Sequence, residues 1–181
     1  VYDALKAARP DIVFYANSDA HRVCPRFDET LIPVEWVPAK RSRDRTRLTL
    51  AMTKDAMEAE RTLMVFPAGK LARRGPDGVL VDPEWMPTAL SVAARYAAPV
   101  VPLHVAGPLA AMFHFFDRFS PELRDVTLFH ELLNKTGRRF RIVVGEPVTP
   151  DRLPPDAAVA SAALKAYVER VLPASPDTPF A

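Results

Sequence analysis

The feature that most constrains this chain is an apolar run, Thr62-Leu63-Met64-Val65-Phe66, that stops on Pro67-Ala68-Gly69-Lys70. A short apolar run bounded by proline and glycine reads as a buried strand. Proline has no N–H to give to a β-ladder, and glycine lets the backbone turn sharply or come close to a ligand. The strand must therefore end in a tight loop, and that loop leads into Lys70, Arg73 and Arg74. A strand feeding a glycine-containing loop with cations beside it is suited to hold an anion.

Around this loop the chain alternates strand-like and helix-like segments, which predicts an α/β fold with a mostly parallel mixed sheet flanked by helices. A helix is predicted over 2–9, a strand over 11–16 and a short proline-interrupted strand over 31–35. A long helix follows over 42–60, with Ser42 as its N-cap and Leu48, Met52, Ala56 and Ala59 as its apolar stripe. Beyond the glycine loop come a turn at Pro76-Asp77-Gly78, a helix near 86–97 and a strand over 100–105. Residues 109–134 read as helical and rich in phenylalanine, followed by a strand over 140–145 and an amphipathic helix over 156–172. This organisation predicts one domain over 1–172 and a flexible, proline-rich tail over 173–181.

Composition narrows the function classes. With 181 residues, 49% of them apolar and 25% charged, the chain can bury a core of its own. A formal net charge of +2 gives no basis for expecting a nucleic-acid partner. The single cysteine, Cys24, excludes an internal disulfide and suits a reducing cytosol. No apolar run reaches the roughly 18 residues of a membrane span, so any membrane role would be at the surface. The chain opens on Val1, and nothing precedes the first predicted helix to cap it, so further residues are expected upstream.

Several short segments, in this order and spacing, carry a resemblance. They are Ile32-Pro33-Val34 with Lys40 and Arg41 beyond, then Phe66-Pro67-Ala68-Gly69 with Arg73 shortly after. Val101-Pro102-Leu103-His104, Glu131-Leu132-Leu133-Asn134-Lys135 with Gly137-Arg138-Arg139, and Val144-Gly145-Glu146-Pro147 complete the set. Together they resemble the glycerolipid acyltransferases, the lysophosphatidate acyltransferase-like family. Within it they are most similar to the hemolysin-like branch, whose loop reads Phe-Pro-Ala-Gly rather than Phe-Pro-Glu-Gly. The resemblance covers about residues 1–150 and implies acyl transfer from acyl-CoA or an acyl-carrier protein to the hydroxyl of a lysolipid. It implies a peripheral protein on the cytoplasmic face of the membrane, with the membrane surface and the lysolipid as partners. The acyl thioester is then a co-substrate, and no bound cofactor and no metal are expected.

Such chemistry needs a base for the hydroxyl proton, a group to orient the base, and donors for the oxyanion. The family supplies base and orienter as His-x4-Asp, and no such spacing occurs here: Asp28 lies seven residues after His21 and Asp117 three after His114. The motif is therefore expected ahead of Val1, no catalytic residue is assigned within this chain, and the chain alone is expected to be inactive. His21, in the polar loop Asn17-Ser18-Asp19-Ala20-His21-Arg22, reads as a loop hydrogen-bonding residue, with an Asp19–His21 dyad as the alternative. His104 reads as a satisfied histidine near the core. Cys24 reads as inert, though Arg22 and Arg26 nearby could acidify its thiol.

In this reading Phe66, Pro67, Ala68 and Gly69 shape the acceptor pocket, while Lys70 and Arg73, with Lys40 and Arg41, recognise phosphate. Arginine suits phosphate because its planar fork can bond bidentately. The aromatic run Met112-Phe113-His114-Phe115-Phe116-Asp117-Arg118-Phe119 reads either as core or as a lipid-facing surface. No Gly-x-Ser-x-Gly elbow, Walker loop or metal-ligand spacing is present. Two rivals remain: a non-catalytic lipid- or acyl-CoA-binding module that kept the fold without the base, and a hydrolase that passes the acyl group to water.

Overall fold

The computed structural model describes residues 1–181 except 19, 21–24, 36–38, 40–41, 76–77, 108–109 and 118. The chain divides into two compact units, Val1–Gly69 and Lys70–Ala181.

The first unit is a parallel sheet covered by one long helix. A single helical turn, α1 (Tyr2–Leu5), opens it without a side-chain cap. β1 (Val13–Asn17) lies between β2 (Leu31–Val34) and β3 (Leu63–Met64), and both neighbours run parallel to it. Ala16 sits opposite Pro33 and Phe14 opposite Met64, so the register keeps Val13 and Ile32 in the core. α2 (Arg43–Glu58) begins at Ser42, whose extended backbone and hydroxyl, accepting from the Arg45 N–H at 3.2 Å, form the expected N-cap.

The stripe α2 turns to the sheet differs from the sequence reading. Thr53 and Ala56 are buried and Met52 packs on the core, whereas Leu48 is 51% exposed. Threonine can face a sheet because its hydroxyl finds partners there. Thr49 Oγ1 donates to the Pro33 carbonyl at 2.5 Å, and Thr53 Oγ1 donates to the Thr49 carbonyl at 2.7 Å. With that proton committed, the Tyr15 hydroxyl donates to Thr53 Oγ1 across 2.9 Å.

The second unit builds its strands antiparallel. β4 (Arg73–Arg74) pairs with β5 (Leu80–Val81), and β6 (Leu103–Ala106) pairs with β7 (Arg141–Val144). Between them lie α3 (Thr88–Arg95), α4 (Ala111–Asp117) and α5 (Pro121–Leu133), the last capped by Ser120 with proline in its first turn. α6 (Ala157–Ala166) starts at Asp156, whose carboxylate accepts the Ala158 and Val159 N–H groups at 2.8 and 2.9 Å. It continues into a π-turn, Tyr167–Val171, and its apolar face joins Leu90, Val143 and Val148 in the core. The α/β class and a parallel sheet with flanking helices are thus as the sequence indicates. Among the described residues no helix is long and apolar enough to cross a membrane.

The expectation of a loose tail is corrected. Phe180 is buried against the Tyr167 ring, the Tyr167 hydroxyl donates to the Thr178 carbonyl at 2.7 Å, and Arg152 donates to the Phe180 carbonyl at 2.8 Å. One aromatic side chain near the end of the chain anchors a segment whose prolines alone suggested disorder.

Candidate functional site

Because β1, β2 and β3 are parallel, the loops that leave them emerge at one end of the sheet. In open α/β sheets ligands bind outside the carboxyl ends of the strands. After β1 comes Ser18, after β2 Glu35, and after β3 the turn 66–69. The Glu35 carboxylate is only 7% exposed; it accepts Arg45 Nη1 at 2.5 Å and the Ser18 hydroxyl at 3.3 Å. Arg45 stands in the first turn of α2, where the helix dipole disfavours a cation, and the buried carboxylate compensates for that placement. This Ser18–Glu35–Arg45 link ties the loops after β1 and β2 to the start of α2. The sequence reading missed it, since no short motif marks it.

The turn after β3 follows from its residues. Gly69 N–H donates to the Phe66 carbonyl at 3.0 Å, closing a four-residue turn with Pro67 at its second position. Gly69 has φ +61°, a left-handed conformation that costs other L-residues roughly 1–2 kcal/mol. Phe66 is 53% exposed at the mouth of the turn, Pro67 and Ala68 are half-buried, and Lys70 is exposed. Lys40 and Arg41, with Asp19, His21 and Cys24, lie outside the described residues.

The remaining predicted residues belong to the second unit. Arg73, in β4, has its Nε 3.7 Å from the Asp117 carboxylate, which also accepts Arg124 Nη1 at 3.0 Å. Arg74 donates to the Gly78 carbonyl at 2.7 Å. Arg73 is half-exposed, so its fork faces solvent while one edge meets Asp117. Two of the sequence motifs meet in this unit. Gly145 N–H donates to the Pro102 carbonyl at 2.9 Å, and a Cβ on Gly145 would stand 3.2 Å from Leu172. Crowding by the Leu172, Pro102 and Tyr167 side chains favours the glycine in Val144-Gly145-Glu146-Pro147.

The histidines separate by environment. His104 is satisfied as expected: its Nδ1 lies 3.0 Å from the Val168 carbonyl, and since that oxygen can only accept, Nδ1 carries the proton. The buried His114 Nε2 has no hydrogen-bond partner, and desolvation, then the Arg74 charge, lowers the ring's pKa, so it stays neutral at neutral pH. Among the described residues no histidine is hydrogen-bonded to a carboxylate, and no three metal-ligating side chains converge. The first unit thus presents a shaped turn at the carboxyl end of its sheet, and the second carries Arg73 and Arg74 on an exposed strand.

A family model described as acyltransferase matches residues 18–172, a span that includes the strand-end loops of the first unit and most of the second. No curated protein and no solved structure matches the chain. The match takes in the Phe66-Pro67-Ala68-Gly69 turn, the paired Val101-Pro102 and Val144-Gly145 strand ends and the closing helix, and on it the chain belongs to an acyltransferase family.

Proposed function

We propose that this protein transfers an acyl group from an acyl thioester, acyl-CoA or acyl-carrier protein, to the hydroxyl of a lysophospholipid or related lysolipid at the cytoplasmic surface of a membrane. The observation that carries this reading is the Phe66-Pro67-Ala68-Gly69 turn, set at the carboxyl end of a parallel sheet within an acyltransferase-family chain. Phe66, Pro67, Ala68 and Gly69 shape the acceptor pocket. Lys70 and Arg73, with Lys40 and Arg41, meet the acceptor's phosphate as charged hydrogen-bond donors. The acceptor oxygen attacks the thioester carbonyl as a base takes its proton; the carbon–sulfur bond then breaks and the thiolate leaves, reprotonated by the same base. The resemblance assigns that base to the histidine of a His-x4-Asp motif, oriented by its aspartate.

The test is product analysis by mass spectrometry with acyl-CoA or acyl-carrier protein and a panel of lysolipids, using the full-length protein. Acylated lysolipid is the expected product. Free fatty acid alone would replace the transferase with a hydrolase, and saturable binding without product would replace it with a binding module. Arg73→Glu should raise KM roughly tenfold for a phosphate-bearing acceptor while sparing a neutral one. Equal KM values for the phosphate-bearing acceptor in parent and variant would remove Arg73 from recognition.

A further inference from the structure

In the helical hairpin α4–α5, α4 buries Phe113, but α5 buries polar side chains. On α5 the inward side carries Arg124, Thr127 and Glu131, the last two buried. Glu131 holds its place through real partners: Oε1 accepts the Ala110 N–H at 3.0 Å and Oε2 meets Lys135 at 3.0 Å. Burial pushes its pKa up, but Lys135 and the Ala110 N–H outweigh that, so it stays charged. Meanwhile Val126 is 69% exposed and Leu133 72%. Met112, Phe115 and Phe119 form a second exposed stripe across α4 and the following turn, with the Phe115 and Phe119 ring centroids 5.1 Å apart at a 51° tilt.

Charged residues are rarely buried, and helices normally turn their apolar side inward. So many exposed apolar side chains on one helical hairpin mark a surface that meets something else. The charge beside it indicates what. The chain leaves α5 through Lys135-Thr136-Gly137-Arg138-Arg139-Phe140-Arg141, a run with four cations and no acid. Arg138, Arg139 and Arg141 are exposed, with no ion pair among the described residues, and Phe140 is half-exposed between them. The exposed acids of α5, Glu122 and Asp125, lie near Phe119 and Val126, and each has a partner within the chain: Glu122 accepts the Ser120 hydroxyl and Asp125 accepts Arg124, both at 2.7 Å. Exposed apolar helices followed directly in the chain by exposed arginines fit an interfacial element on anionic lipid.

We infer that the outward face of the α4–α5 hairpin, with the arginines of 138–141, is the surface on which this protein docks to an anionic lipid bilayer. The inference rests on the membrane-surface reading above and names the element that serves it. Phe119 and Val126 enter the acyl boundary and Arg138 and Arg139 meet lipid phosphates.

Flotation of the protein with phosphatidylcholine/phosphatidylglycerol vesicles, against phosphatidylcholine alone, tests this. The parent should float with the anionic vesicles. Phe119→Asp/Val126→Asp should lower partition about tenfold or more. Arg138→Ala/Arg139→Ala should lower it roughly tenfold on anionic vesicles only. Circular dichroism should show both variants folded, since the altered side chains are exposed. Unchanged partition of the folded aspartate variant, or a parent that binds no vesicle, would overturn the inference. So would light scattering showing a dimer that the aspartate substitutions dissociate without altering flotation, because a second copy would then be the occupant. Acyl transfer to a water-dispersed short-chain lysolipid without vesicle binding leaves the enzyme reading standing and removes the docking face. Vesicle binding that depends on this face without acyl transfer does the reverse.

Discussion

The two ends of the parallel sheet in the first unit are held in opposite ways. At the end where β1 and β3 begin, everything is tied down. Arg9 donates to both Asp11 carboxylate oxygens, at 2.9 and 2.7 Å, and to the Glu60 carbonyl at 3.0 Å. Asp11 also accepts the Thr62 N–H at 2.8 Å, and Arg61 donates to the Asp11 and Glu29 carbonyls. At the end where the strands finish, one buried link, Ser18–Glu35–Arg45, braces two loops, and the third is a turn with an exposed aromatic side chain. The first end spends its polar groups on bracing its own chain; the second ends in a glycine turn with an exposed aromatic side chain. Substitutions at the first should move stability alone, and at the second activity first.

The largest effect is expected at Gly69. Gly69→Val puts a β-branched residue at φ +61° and should displace the turn, lowering kcat/KM for the lysolipid by about a hundredfold. Strain would also cost about 1–2 kcal/mol of stability. Steady-state kinetics beside a melting curve separates the two effects. A melting loss with intact kinetics would mean that the turn after β3 does no more than the opposite end.

Next comes Glu35. Glu35→Gln keeps an acceptor but removes the charge facing Arg45, so the loops after β1 and β2 should loosen, with activity falling about tenfold. A smaller, purely structural change calibrates the scale between the two ends. Tyr15→Phe deletes the hydroxyl bonded to Thr53 and should cost about 1 kcal/mol in urea unfolding, with kinetic constants unchanged.

Where sequence pattern sufficed, local chemistry decided the outcome. Ser42 caps α2 because a hydroxyl at that position satisfies an orphan N–H, and the turn 66–69 forms because proline and glycine permit little else. Where it failed, long-range partners decided. Thr49 and Thr53 could be assigned to the sheet-facing stripe only once Pro33 and Tyr15 were known to lie across from them. Glu131 and Thr127 faced inward, against hydropathy, because Ala110, Lys135 and the Arg124 carbonyl receive them. The Ser18–Glu35–Arg45 link joins residues up to 27 positions apart with no spacing rule behind it. Of the predicted site residues, the turn was legible because it is contiguous; the Asp117 partner of Arg73 was not, because it arrives from a helix 44 positions further along the chain.

The smallest effect at neutral pH, and the most diagnostic, is expected at Asp11. The Arg9 hydrogen bonds, opposed by desolvation and helped by the Thr62 N–H, hold its carboxyl far below the usual carboxylate range. A depressed folded-state pKa stabilises the fold fully above the unfolded value of about 3.9, and the contribution is lost as pH falls below it. Asp11→Asn should therefore melt below the parent at neutral pH, and the gap should close steadily as the pH is taken down through 4 and below, since the parent then loses what the variant never had. Acyl transfer should be unaffected at neutral pH, because Asp11 stands at the closed end of the sheet. A gap independent of pH would mean that packing, not charge, holds that end. A loss of activity without a loss of stability would mean that the two ends are not functionally distinct.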